Sequence, residues 1–125
     1  MERYAIYRLL HLGGMFAMFM GLGGIALHVA NGGTKASNTA RKLLASVHGT
    51  ALFVILLGGF GMLARLKLVQ GGGLPGWIYL KLAIWVIMGA MGTVMYRAPK
   101  VARWMLVLLP LLGMAAAWIA VSKPI

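Results

Sequence analysis

The chain reads as an all-α integral membrane protein, a four-helix transmembrane bundle. Three observations predict this. Four long apolar stretches, residues 4–30, 43–64, 76–96 and 102–121, fill nearly all of the 125-residue sequence. Each reaches the roughly 20 apolar residues that cross a bilayer core as a helix. The only acid is Glu2, and 62% of the residues are hydrophobic, with a mean hydropathy of +0.90. A soluble domain of this length carries about 25% charged residues. In lipid every backbone amide must be bonded within the chain, so these spans are helices. With flanking turns they run over about 4–30, 38–67, 76–97 and 102–122, as a single transmembrane domain covering 1–125.

The first helix ends at Asn31-Gly32-Gly33, residue types that accept the left-handed conformation closing a helix. It is too long for a cleavable signal peptide, and no small-residue cleavage site follows it, so it is expected to stay in the mature protein. The loop after it is polar, and Ser37 or Thr39 is the expected N-cap of the second helix. Arg41 and Lys42 sit in the first turns of that helix, outside the hydrocarbon. Gln70-Gly71-Gly72-Gly73-Leu74-Pro75-Gly76 breaks the chain again. The third helix ends before Pro99, and 100–103 forms a tight basic turn. The fourth helix contains Pro110, which is expected to kink it.

An even number of spans puts both termini on one face. The formal charge is +11. Its cations cluster at helix ends, where they meet anionic lipid head groups, and nucleic acid is not an expected partner. Arg3, Arg8, Arg65, Lys67 and Lys123 lie on the terminal face. Lys35, Arg41, Lys42, Arg97, Lys100 and Arg103 lie on the other, in the more compact clusters, which orients the two odd loops towards the cytoplasm. There is no cysteine. Disulfides, thiolate metal sites and cysteine nucleophiles are therefore excluded.

Three residue types carry the candidate chemistry. The histidines are His11, His28 and His48, and ionisable residues at membrane depth often mark function. The plainer reading is a polar link between helices. Gly14, Ala17, Gly21 and Gly24 form a smooth groove on the first helix, continued by His28. Gly58, Gly59 and Gly61, and Gly89 with Gly92, repeat the theme. Such grooves either let helices approach closely or hold a flat macrocycle while a histidine or methionine reaches its iron. Methionines at Met15 and Met18 with His11, and at Met88, Met91 and Met95, are either core filling or soft ligands for Cu(I). Lys81 has no acid in any span to pair with. It either snorkels to the interface or meets a haem propionate, a lipid phosphate or an acid on another subunit, with Arg8 and Arg65 on the same face.

Counting about 1.5 Å of rise per residue from each hairpin, His48 falls level with Met20 and Met95. His28 falls about 12 Å nearer the surface by the same rise. His48 with a methionine, or with a histidine of another subunit, is therefore the expected metal or haem site. A faint echo also links the first two helices: His11, Phe16, Gly21 and Gly24 have the spacing of His48, Phe53, Gly58 and Gly61.

The layout resembles the small four-helix SirB family and, more distantly, the membrane domain of copper-resistance protein D. The resembling pieces are Tyr7-Arg8-Leu9-Leu10-His11, then Arg41-Lys42 followed by His48-Gly49-Thr50, then Leu80-Lys81-Leu82 followed by Gly89 and Tyr96-Arg97. The resemblance implies a multi-pass protein of the bacterial inner membrane, linked to a metal or haem.

Paired carboxylates and a Ser–His–Asp set are both absent, which removes the usual hydrolytic chemistry. The first functional reading is therefore a b-type haem or quinone-linked electron-transfer protein. It uses His48, His28 and His11, with Gly21, Gly24 and Lys81 around the cofactor. The second is an accessory subunit of a larger membrane complex, or a homo-oligomer, with no cofactor of its own. The third is copper handling, with His48, Met20 and Met95 as ligands.

Overall fold

The computed structural model describes residues 2–66 and 73–125. Its helices are α1 (Arg3–Ala30), α2 (Arg41–Leu66), α3 (Gly76–Arg97) and α4 (Ala102–Ser122), with a single 3-10 turn at Pro99–Val101. All four are long and apolar enough to cross a membrane. No strand occurs among the described residues. The expected end of the second helix at Lys67 and the break at 70–72 lie outside those residues.

α1 closes in a Schellman motif. Gly32 takes a positive φ of 88°, Gly33 N–H reaches the His28 carbonyl at 2.9 Å, and Gly32 N–H reaches the Val29 carbonyl at 2.9 Å. This is the left-handed stop that the glycine pair predicts. The expected cap of α2 is corrected. Ser37 and Thr34 bond each other within their own turn, Thr34 N–H to Ser37 Oγ at 2.8 Å and Ser37 N–H to Thr34 Oγ1 at 3.1 Å. Asn38 instead leads into α2, its Oδ1 accepting from Ala40 N–H at 3.0 Å. α2 then begins at Arg41, three residues later than expected at 38. α4 runs through Pro110, which lies on its exposed side.

α1 is the central helix. It packs most extensively on α2 and also touches α3 and α4, whereas α2 and α3 barely meet. The core joins Met18, Leu22, Ile25, Ala26 and Val29 of α1 to Ala51 and Ile55, Met88 and Met95, and Ala102 and Leu109 of the other helices. The outer sides carry large apolar side chains, among them Phe16, Phe53, Trp104, Trp118 and Val121. This is the arrangement lipid requires, apolar outside as well as inside. Tyr4 and Lys123 line one cavity, so both ends of the chain lie at the same end of the bundle.

Candidate functional site

The glycines lie where α1 and α2 touch. A side-chain carbon added at Gly58 would stand 2.6 Å from the His11 backbone nitrogen and 2.7 Å from the Tyr7 carbonyl. At Gly61 it would strike the Tyr7 ring. On the other helix, Gly21 lies against His48, with an added carbon 3.5 Å from His48 Cβ, and Gly24 lies against Leu44. Tyr7 and Leu44 each stand four residues before their histidine. The echo in the sequence is therefore a packing relation. Each helix lays its histidine and the residue one turn earlier onto the glycine pair of the other, and Phe16 and Phe53 both turn outward. Gly14 completes the seam against Ile55 and Ala51.

All three histidines use a ring nitrogen to tie two parts of the chain together. His11 Nδ1 donates to the Ile55 carbonyl of α2 at 2.9 Å. His48 Nε2 donates to the Met88 carbonyl of α3 at 3.0 Å. His28 Nε2 donates to the Thr34 carbonyl at 2.8 Å and lies 3.3 Å from Ser37 Oγ, pinning the first loop. A carbonyl only accepts, so the nitrogen facing it carries the proton. His48 is the buried one of the three, as its depth in the sequence predicts. Here the internal symmetry breaks: His11 bonds within the α1/α2 pair, and His48 reaches across to α3.

The residues fit a haem poorly. Gly14, Gly21 and Gly24 of α1 are covered by Leu44, His48, Ala51 and Ile55 of α2, which leaves no room for a flat ring against those glycines, while Ala17 lines the open outer groove. His48 also lines a cavity of about 260 Å³ with Gly89, Gly92 and Tyr96. The expected set of His48 with Met20 and Met95 does not assemble. Met20 is 75% exposed on the outer side of α1, whereas Met95 is 0% exposed in the core. Equal depth places two residues at one level but not on facing sides of their helices. Met88 is buried in the same core as Met95, with Met91 packed against it, as gap-filling methionines are. No group of three or more metal-ligating side chains of His, Asp or Glu type occurs among the described residues.

Lys81 is half-buried at the terminal end of the bundle. It lines a cavity of about 210 Å³ at the terminal end, together with His11, Tyr4, Trp77, Trp85 and Lys123. Arg8 and Arg65 are exposed and do not line it; Lys123 takes their place. A second, open groove of about 660 Å³ runs along the outer side of α1 and α2. Its lining includes Gly13, Ala17, Ser46 and Thr50.

Sequence reasoning missed two anchors. Trp85 Nε1 donates to the Leu52 carbonyl at 3.0 Å, and buried Asn38 donates through Nδ2 to Tyr96 Oη at 2.8 Å. The signal for the first was a tryptophan in mid-span, whose N–H requires an acceptor. Asn38 carried no such signal, because asparagine is ordinary in a loop.

The fold and these contacts define a four-helix, multi-pass membrane protein. No family model, curated protein or solved structure matches the chain. The function therefore rests on the geometry alone.

Proposed function

We propose that the chain is an accessory subunit of a larger complex in the bacterial inner membrane and holds no cofactor of its own. The observation that carries this is the outer groove of α1 and α2. Gly13 and Ala17 stand one turn apart on one wall, and Ser46 and Thr50 one turn apart on the other. Nothing lies within 4 Å of the place where a side chain on Gly13 or on neighbouring Gly49 would begin.

Small residues at such spacing let a second helix approach closely, and hydroxyls bond across the contact. A glycine facing lipid costs up to about 1 kcal/mol of helix stability against alanine, without return. The hydroxyls make the same point. Ser122 satisfies its own by donating to the Trp118 carbonyl at 2.8 Å. Ser46 and Thr50, both exposed, have no side-chain hydrogen bond among the described residues. A transmembrane helix of a partner supplies what is missing.

The residues that suit a cofactor by type, His11, His28, His48, Gly21 and Gly24, are already engaged in joining elements of the bundle. Haem b and copper are accordingly left out of the proposal.

The absence of cysteine allows a direct test. Gly13→Cys and Thr50→Cys in the groove, each labelled with a thiol-specific photoreactive group, should cross-link on illumination to a neighbouring transmembrane helix in intact membranes. Val107→Cys, on the exposed side of α4 and outside any groove, should not. Equal cross-linking from all three positions, or none from the groove, overturns the proposal.

A further inference from the structure

The Lys81 cavity gathers cationic side chains with no carboxylate side chain in its lining. Trp77, Lys81 and Trp85 fall one turn apart on one side of α3. The Trp85 bond to the Leu52 carbonyl turns that side towards α2, so the Lys81 ammonium is directed into the bundle. The second ammonium, Lys123, stands 5.5 Å from the centre of the Trp77 ring at the same cavity. The sequence's one acid, Glu2, is exposed at the start of α1 and does not line it. An ammonium below the membrane surface with no carboxylate beside it is costly.

The site's depth and shape identify the anion. Lys81 lies five residues into α3, about 7 Å below its start at 1.5 Å per residue, which is just beneath the head-group layer. The walls below it are apolar, formed by Ile55, Leu56 and Phe60 of α2 and Leu82 of α3. The backbones of α2 and α3 approach closely at few points, and the Trp85–Leu52 bond spans the space between them one turn below Lys81.

We infer that this cavity holds one acidic phospholipid. Its phosphodiester meets the Lys81 ammonium in the cavity that Lys123 also lines, and an acyl chain lies along the apolar side chains at the cavity's mouth. The lipid supplies both the counter-charge and the apolar filling that α3 lacks on that side. An ammonium has three donors, so Lys81 can bond both free phosphate oxygens.

The test uses the full chain, reconstituted in nanodiscs of phosphatidylglycerol and phosphatidylcholine in equal parts. The chain is then stripped with mild detergent and weighed by native mass spectrometry. The expected result is one retained phosphatidylglycerol per chain. Retention should fall about tenfold in Lys81→Met, the loss of one charge-assisted contact, and should survive in Lys81→Arg. Lys100→Gln with Arg103→Gln removes two exposed cations at the other face and should leave retention unchanged. Added inorganic phosphate should not displace the lipid, because the acyl chain holds it.

Wild-type retention of phosphatidylcholine equal to that of phosphatidylglycerol overturns the inference, whether or not any variant folds. So does full retention in Lys81→Met, loss in the Lys100/Arg103 variant, displacement by free phosphate, or a quinone in place of the lipid.

Discussion

Adding one methyl group should have opposite effects at two glycines of the same seam. At Gly58 the new carbon would meet only backbone, with His11 N at 2.6 Å, Tyr7 O at 2.7 Å and His11 Cα at 2.9 Å. Ordinary contact begins at 3.4 Å, so 3.4 minus 2.6 leaves a shortfall of 0.8 Å. Backbone cannot rotate out of the way, and α1 must move off α2. Overpacking of this kind costs about 1–3 kcal/mol. The gain in helix propensity on replacing glycine by alanine returns up to about 1 kcal/mol. Gly58→Ala is expected to be destabilising by about 1–2 kcal/mol on those figures. At Gly21 the nearest atoms would be at 3.5 Å and 3.6 Å, which is a comfortable fit. Gly21→Ala is expected to be neutral or stabilising by up to about 1 kcal/mol. Gly21→Leu should disrupt the seam, since no space exists beyond the first carbon. The assay is reversible unfolding in mixed micelles, followed by helical circular dichroism. If Gly21→Ala and Gly58→Ala are equally destabilising, or if Gly58→Ala is harmless, the close approach described here is wrong.

His48→Ala should lower stability by about 1–2 kcal/mol in the same assay, through the lost bond to the Met88 carbonyl and the void left behind. His28→Ala, which loosens only an exposed loop, should cost about 0.5 kcal/mol; a reversed order would refute the assignment of His48 as the α2–α3 link. Asn38→Ala should cost about 0.5–2 kcal/mol, because it loses both the lead into α2 and the bond to Tyr96. Tyr96→Phe should then be nearly silent in the Asn38→Ala background, and full additivity of the two changes would show that the side chains do not interact.

The four spans were legible because hydrophobicity over about 20 residues is a local signal that lipid enforces without tertiary help. The stop at Gly32 was legible for a similar reason: its positive φ is a property of the turn itself. The echo between His11-x₉-Gly21 and His48-x₉-Gly58 held the α1/α2 packing, but spacing alone does not say that the two sets face each other. The direction of Lys81 was hidden because it depends on Trp85 finding the Leu52 carbonyl, a contact between residues 33 apart in sequence. Met20 was misplaced for the same reason. Depth can be counted from a hairpin, whereas the rotation of α1 about its axis is set by Gly14, Gly21 and Gly24 docking on α2. In lipid an apolar outer side looks the same as an apolar core, so periodicity gave little help in choosing between them.

Assembly with another membrane helix through the groove at Gly13, Ala17, Ser46 and Thr50 is the proposed role of this chain. The most direct measurement is the native mass of the chain extracted from its own membrane in polymer nanodiscs, without detergent. A defined stoichiometric complex with another membrane polypeptide is expected. Gly13→Leu with Thr50→Leu should release the folded chain, with its unfolding free energy unchanged within about 0.5 kcal/mol as expected for exposed positions. A chain that travels alone, or one that carries a haem-sized mass lost in His48→Ala, would contradict it.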